Sequence, residues 1–180
     1  SNPGNIDATS AMNSALAAGV SQNKIVAFKS DLEIRSKIVV PSGIKGIIGL
    51  NNAEIHVKSA YFNRVLDTRS DQHQTNSLVF SFSGSDGFIL EGLRFKGNYP
   101  TNSNIRVDCI LMRNCANYIV RDCHGYDLPT TMLVWMDSSF GVWEFDNLSL
   151  SNCYTTADLS TFTDGSDDNQ IASAIQNSVL

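Results

Sequence analysis

Two stretches in the second half of the chain carry carboxylates and tryptophan at the spacing of β-strands. In Met-Leu-Val-Trp-Met-Asp, which ends at Asp137, alternation of side chains places Trp135 and Asp137 on the outer face. In Val-Trp-Glu-Phe-Asp, which ends at Asp146, alternation places Glu144 and Asp146 outside and the tryptophan and phenylalanine inside. The sequence therefore predicts an outer surface on which a tryptophan lies among carboxylates.

An exposed tryptophan beside carboxylates is the composition of a groove that stacks and cleaves sugars. Glycoside hydrolysis needs two carboxylates that lie either about 5 Å or about 6.5–9.5 Å apart. Adjacent strands lie about 4.8 Å apart, so acids on one strand or on neighbouring strands can meet either spacing. We predict Asp137, Glu144 and Asp146 as catalytic candidates and Trp135 as a substrate-binding residue. The competing interpretations are a solvated acidic face and, for Trp135, a protein interface.

The composition of the chain argues against several classes of function. Its 180 residues suit a single domain with a sizeable core. The net charge is −5 and the 13 lysines and arginines are scattered, whereas binding to nucleic-acid phosphates needs clustered cations. No apolar run approaches the length that spans a membrane. We therefore expect neither nucleic-acid binding nor membrane insertion.

Metal-binding patterns are weak in this sequence. The four cysteines show neither Cys-x-x-Cys spacing nor a histidine at zinc-like spacing, so we expect buried free thiols. His56 and His73 have no partner that the sequence identifies. We predict no metal and no cofactor. The alternative is calcium at Asp164, Asp167 and Asp168, because calcium favours several hard oxygen ligands.

Helical patterns lie at both ends of the chain. In residues 7–18, small and apolar residues recur at helical spacing from Ala8, with Asp7 as N-cap and Gly19 as C-cap. A similar apolar pattern follows Asp168, another good N-cap. The first helix is predicted to lie over the end of a core.

Between these ends the apolar segments are short and typical of strands. The corner Pro41-Ser42-Gly43 joins two β-branched runs and predicts a tight corner between strands instead of a hairpin. Polar stretches at 63–77 and 97–104 are predicted to be loops.

A repeat with a spacing of 30 residues begins at Phe88, Tyr118 and Leu148. Its aligned columns read Phe/Tyr/Leu, Leu/Val/Leu, Gly/Asp/Asn and Leu/Cys/Cys. The Gly/Asp/Asn column, formed by Gly92, Asp122 and Asn152, carries residues that tolerate a left-handed backbone at a corner. Apolar columns at such a period indicate stacked supersecondary units, so the sequence predicts an all-β solenoid.

Three features together carry a resemblance to a known superfamily: the helix 7–18, the Pro41-Ser42-Gly43 corner followed by Gly49, and the Leu-Ser-Leu-Ser-Asn-Cys segment at 148–153. They resemble the pectate-lyase-like right-handed parallel β-helix superfamily, and within it they are most similar to bacteriophage tailspike and tail-fibre β-helices. The resemblance implies an all-β, right-handed parallel β-helix.

The resemblance also implies a domain organisation. Residues 1–163 would form the β-helix, with a capping helix at 5–18. Residues 164–180 would form a C-terminal helix, because their Asp-Gly-Ser-Asp-Asp and Ala-Ile elements resemble the start of such a domain. This helix either begins a second unit or caps the first.

A further candidate lies in Asp-Cys-His-Gly-Tyr-Asp, which holds His124 and Asp127. His124 and the glycine after it resemble the His-Gly element of polygalacturonase-type hydrolases, although the glycine before the histidine is Cys123 here. No Asn-Thr-Asp or Gly-Asp-Asp motif accompanies it. We predict His124 and Asp127 as substrate-binding candidates, against the alternative that a lone histidine is structural.

An outward apolar pair indicates a protein partner. If Phe88 and Tyr118 face the core, Ile89 and Ile119 face outward on adjacent strands, and an exposed apolar column suggests an interface. Tailspike-like proteins are homotrimers, so the resemblance implies a homotrimer.

Two hypotheses of function remain open. In the first, the chain is the β-helix module of a phage tailspike or tail appendage that recognises a bacterial surface polysaccharide and degrades it as a hydrolase or lyase. In the second, it is a structural or glycan-binding adhesin module that trimerises without chemistry. Both imply a virion tail or extracellular location.

Overall fold

The computed structural model describes residues 7–57, 78–97, 108–128, 133–137 and 140–153, which are mostly β-strand with one helix. For Leu78, Asp108, Trp135, Met136 and Asp137 only the backbone is described. The elements are α1 (Thr9–Ser21), β1 (Val26–Phe28), β2 (Leu32–Ile34), β3 (Ile38–Val40), β4 (Gly46–Gly49), β5 (Glu54–Val57), β6 (Leu78–Ser83), β7 (Asp86–Glu91), β8 (Arg94–Lys96), β9 (Asp108–Arg113), β10 (Ala116–Arg121), β11 (His124–Tyr126), β12 (Val134–Asp137), β13 (Phe140–Asp146) and β14 (Ser149–Ser151).

The strands form three parallel sheets, and within each sheet neighbouring strands are three places apart along the chain. Sheet I has the order β1-β4-β7-β10-β13, sheet II β2-β5-β8-β11-β14 and sheet III β3-β6-β9-β12. Consecutive strands therefore belong to different sheets. The Pro41-Ser42-Gly43 corner joins sheet III to sheet I with Gly43 at φ 87°, which confirms the prediction of a corner instead of a hairpin.

Residues with a left-handed backbone lie between consecutive strands. Gly92, Asp122 and Asn147 have φ of 65°, 52° and 48° at the corner from sheet I to sheet II. The Asn147 amide donates to the Asp122 carboxylate at 2.7 Å, so one corner is tied to the next. Glycine, aspartate and asparagine tolerate this backbone best, which explains their spacing in the sequence.

The predicted repeat is correct in its first step and wrong in its second. Phe88 is the register partner of Tyr118, 30 residues later, as predicted. The register partner of Tyr118 is Trp143, 25 residues later, and not Leu148. Leu148 instead immediately precedes β14, which pairs with β11 in sheet II. The sequence allows the wrong alignment because the second repeat is five residues shorter and similar corners, at Asn147 and Asn152, lie before and after β14.

The helix begins and ends later than predicted. It starts at Thr9 instead of Asp7, and it continues through Gly19 to Ser21. Asp7 still accepts a hydrogen bond from the Thr9 amide at 2.9 Å, so its side chain serves the first turn from one residue outside the N-cap. Gly19, which the sequence assigned to a cap, is buried within the helix. An added Cβ would lie only 2.7 Å from the Val26 side chain, and this close approach explains why the residue is a glycine.

Inward side chains form one continuous core. Phe82 stacks on Phe88 at 5.0 Å and Phe88 on Tyr118 at 5.3 Å, while Tyr118 meets Phe145 edge to face at 6.1 Å. Trp143 continues this column and lies 5.6 Å from Phe145, yet 39% of it is exposed because β13 is the last strand that the structure describes in sheet I. The core thus extends through all the described strands of that sheet.

All four thiols are free, as predicted. Cys109, Cys115 and Cys123 are buried and Cys153 is half-buried. Burial raises the pKa of Cys123 to about 12, so its thiol stays protonated and unreactive at neutral pH.

Several predictions concern residues outside the described ranges. These are the loops at 63–77 and 98–104, His73, the acidic residues Asp164, Asp167 and Asp168, and the C-terminal helix within 164–180.

Candidate functional site

Within the part of the chain that the structure describes, a group of charged, imidazole and hydroxyl side chains lies on the outer face of sheet II. Four of its strands, β5, β8, β11 and β14, alternate a half-buried or exposed polar residue, a buried residue and a second polar residue. The buried positions are Ile55, Phe95, Gly125 and Leu150. We call the outward set the polar face; it comprises Glu54, His56, Arg94, Lys96, His124, Tyr126, Ser149 and Ser151.

Parallel register arranges the polar face in two columns. The first runs Glu54, Arg94, His124 and Ser149, and the second runs His56, Lys96, Tyr126 and Ser151. Because adjacent strands lie about 4.8 Å apart, neighbouring members of a column are within reach of one another. A cation in each column, Arg94 or Lys96, therefore lies beside a proton-transferring residue, His124 or Tyr126.

Tyr126 and Glu54 are joined across the intervening strand. The Tyr126 hydroxyl donates to Oε1 of Glu54, and Lys96 Nζ lies 3.5 Å from Oε2 of the same carboxylate. Lys96 Nζ also lies 5.3 Å from the centre of the Tyr126 ring, within the range of a cation–π contact. Three strands thus contribute to one ion-paired cluster.

This cluster holds Glu54 ionised and Tyr126 protonated. Burial alone would raise the pKa of Glu54, but the hydrogen bond from Tyr126 and the charges of Lys96 and His56 outweigh it and lower the pKa. Burial and the hydrogen bond to Glu54 raise the pKa of Tyr126 above its usual range. The phenol is therefore a hydrogen-bond donor at neutral pH.

His124 is a neutral imidazole within the first column. Burial, with the nearby charge of Arg94, lowers the pKa of His124. Its Nδ1 lies 2.7 Å from Oγ of Ser149. When Nδ1–H donates to that hydroxyl, Nε2 carries the lone pair that a general base needs. The prediction placed His124 at a site without naming these neighbours.

His56 has two partners that the sequence did not identify. Its Nε2 lies 3.1 Å from Oε2 of Glu54 and 3.8 Å from Oδ2 of Asp31. Asp31 lies before β2, 25 residues from His56, so only the pairing of β2 with β5 brings the two residues together.

The catalytic candidates from the sequence are distributed over two sheets. Glu144 and Asp146 are exposed on β13 of sheet I, two residues apart on one strand. Asp137 and Trp135 lie on β12 of sheet III, in register with Arg113 and Leu111, and the positions of their side chains are outside the description. The backbone thus places Asp137 and Glu144 in different sheets.

Asp127 follows β11 at a corner with φ 52°. Its Oδ1 accepts a hydrogen bond from the Asn152 amide at 2.6 Å, in the same way that Asp122 accepts from Asn147. The contact gives Asp127 a structural role, while its predicted part in substrate binding stays a prediction.

The sequence did contain a signal for the polar face. The triplets Glu-Ile-His, Arg-Phe-Lys, His-Gly-Tyr and Ser-Leu-Ser share a polar residue on each side of a core residue, and they stack in this order. Their spacings differ, so a search for one fixed period did not align them. Aligning the core positions of three-residue strands would have found the face.

Comparison of the chain with protein-family models, curated proteins and solved structures finds no match. Among the described residues, no helix is both long and apolar enough to cross a membrane.

Proposed function

We propose that the chain is a right-handed parallel β-helix module of a tailspike-like appendage that recognises an acidic bacterial surface polysaccharide on its polar face. Support for the architecture comes from the pairing of strands that are three places apart along the chain, in three parallel sheets. Parallel strands in one sheet are almost always joined by right-handed connections, which favours a right-handed coil.

The observation that carries the functional proposal is the register of Arg94 and Lys96 with His124 and Tyr126 on adjacent strands. A sugar that bears a carboxylate would pair with Arg94, since guanidinium and carboxylate match in a two-pronged geometry. The bound sugar would then lie beside a neutral imidazole and a phenol. A flat face of several strands suits an extended polymer.

These groups support cleavage by elimination. His124 would take the proton from the sugar carbon next to the carboxylate, while the cations stabilise the negative charge that develops there. The bond from the neighbouring carbon to the glycosidic oxygen then breaks, and Tyr126 donates its proton to that oxygen. The electron pair of the broken carbon–hydrogen bond becomes the carbon–carbon double bond of the unsaturated uronate, and the other product is a new chain end. His124 is left protonated and Tyr126 deprotonated.

Hydrolysis fits the polar face less well. It requires a carboxylic acid that protonates the leaving oxygen. Glu54 already accepts the Tyr126 hydroxyl and contacts Lys96 and His56, so it is ionised and has no proton to give.

The test is to incubate the purified chain with a panel of uronate-containing capsular polysaccharides, with dextran as a neutral control. We expect ultraviolet absorbance from the unsaturated product with at least one acidic polymer and none with dextran. Tyr126→Phe should reduce the rate by about 10²–10⁴-fold, the usual contribution of a general acid. New reducing ends without the absorbance would show hydrolysis and overturn the elimination.

A second candidate function is binding without cleavage. It is favoured by the contacts that already pair Tyr126 with Glu54 and His124 with Ser149, since paired groups make a rigid recognition surface. Binding to an acidic polymer that Arg94→Ala weakens, with no product, would establish this alternative. Neither binding nor cleavage across the panel would overturn both.

A further inference from the structure

Three potential metal ligands converge at the β2–β5 end of sheet II. Asp31 precedes β2, whereas Glu54 and His56 lie two residues apart on β5 and so point to the same side. One ligand atom from each residue lies within 4.8 Å of the other two. A single ion placed among them would be within coordinating range of all three after small side-chain rotations.

Each carboxylate has one oxygen held and the other directed at the same point. Oδ1 of Asp31 accepts the Glu54 amide at 2.8 Å, which leaves Oδ2 facing His56 Nε2. Oε1 of Glu54 accepts the Tyr126 hydroxyl, which leaves Oε2 facing the same nitrogen at 3.1 Å. Tyr126 comes from a distant strand, so the Glu54 orientation is fixed by a group outside the three ligands. Metal ligands are commonly oriented by such outer hydrogen bonds.

We propose that Asp31, Glu54 and His56 form a binding site for a first-row divalent transition metal of the Zn²⁺ class. One imidazole nitrogen and two carboxylate oxygens suit zinc, while calcium prefers oxygen ligands alone. Three protein ligands leave a fourth position for water or for a ligand from solution. This inference is independent of the proposed function, because it concerns only the binding of an ion.

The ammonium group of Lys96 would compete with a metal ion for the carboxylate of Glu54. Its Nζ lies 3.5 Å from the same Oε2 of Glu54 that the metal would use. A divalent ion must displace this ammonium group, so removing the charge should strengthen metal binding.

The experiment is titration calorimetry of ZnCl₂ into the full chain after treatment with a chelator, with MnCl₂ and CaCl₂ in parallel. We expect one zinc per chain, weaker manganese binding and no calcium binding at this site. H56A and E54Q should abolish detectable binding, and Y126F should weaken it about 10–100-fold, as is usual for an outer partner. K96M should tighten it.

Three variants serve as controls. H124A removes a histidine from the same face, D146N removes an acid from sheet I, and C153S removes the half-buried thiol; each should leave zinc binding unchanged. Circular-dichroism melting would verify that every variant is folded. No zinc binding by both the wild type and K96M would overturn the proposal, and so would zinc binding that is unaffected by H56A and E54Q.

Discussion

The outer faces of sheet II and sheet I show how one scaffold supports two kinds of surface. On sheet II, outward positions carry Arg94, Lys96, His124 and Tyr126, which contact groups on other strands. On sheet I, the corresponding positions form one column that is apolar on two strands and ends at Glu144, and a second column that is charged. Ile89 and Ile119 are register partners, and Arg121 pairs with Glu91 at 2.7 Å. Parallel register therefore brings side chains that are distant in the sequence into one column, and each sheet presents its own set of columns.

The largest expected effect separates the two faces by activity. His124→Ala should lower the rate of polysaccharide cleavage by about 10²–10⁴-fold, because it removes the proposed base from sheet II. Glu144→Gln is the matched change on sheet I and should leave the rate unchanged. Initial rates of unsaturated product would measure both, with circular dichroism as the check on folding. Loss of activity in Glu144→Gln alone would assign the chemistry to sheet I and reverse the comparison.

The two faces should depend equally on the core beneath them. Phe95 is buried under the polar face and meets Phe80 edge to face at 5.9 Å, while Phe88 is buried under sheet I. Truncation of either residue to alanine should lower the free energy of unfolding by about 3–5 kcal/mol, since it leaves a cavity. Urea denaturation would measure both. If only the Phe95 variant has a lower free energy of unfolding, the two sheets do not unfold as one unit.

The corner that joins the two faces should contribute a smaller amount. Asp122 has a left-handed backbone with φ 52°, which alanine tolerates less well because it has no polar side chain to bond locally. Asp122→Ala also removes the hydrogen bond from Asn147. We expect a loss of about 2 kcal/mol from backbone strain and the hydrogen bond together. Asp122→Gly keeps the backbone relaxed and should lose less than Asp122→Ala. Equal losses in urea denaturation would show that the backbone conformation is not the cause.

The stability of the folded chain should depend on pH through His124 on sheet II. The pKa of His124 in the folded chain is lowered by burial and Arg94, so the unfolded chain binds the proton more readily. The stability associated with uncharged His124 is fully present above the pKa that the residue has in the unfolded chain, about 6.5. It is lost as the pH falls through the lower pKa of the folded chain. The free energy of unfolding should therefore decrease on acidification, and less so in His124→Gln. Identical profiles from pH 5 to 8 would contradict this.

The smallest effect on the folded chain is expected at the apolar column of sheet I. Ile119 is half-exposed, so Ile119→Lys should change the unfolding free energy by no more than about 0.5 kcal/mol. We propose that this column packs against other copies of the chain in a homotrimer, as the sequence predicted, so the same change should release monomers. Light scattering after size-exclusion chromatography would measure the assembly, with Ser151→Lys on sheet II as the control. A trimer that persists in Ile119→Lys would remove this interface.

The sequence predicted the scaffold better than the site. The pairing of Phe88 with Tyr118, the corner at Gly43 and the left-handed backbone at Asp122 follow from apolar columns and residue preferences. Trp143 was correctly predicted to face inward, but its pairing with Tyr118 was not predicted. The similar corners before and after β14 allow two alignments of the repeat. A local feature can be predicted from the sequence where the backbone accepts only a few residue types at one position.

The polar face was missed for a different reason. Glu54 and Tyr126 are 72 residues apart, and each is unremarkable among its own neighbours. Their contact depends on the register of β5, β8 and β11, which in turn depends on the lengths of the connections between them. A site assembled across several strands can be recognised only when that register is known.

The pairing of each strand with the third strand before it also has a consequence for biosynthesis. When a strand leaves the ribosome, its partner has already been made, and no described strand after β3 waits for a later segment to begin pairing. Helix α1 packs on β1 and β3 and gives the first strands a surface to form on. Chains generally fold from the N-terminus during synthesis. This one can add one strand after another in the order of translation, each templated on the edge left by its predecessor.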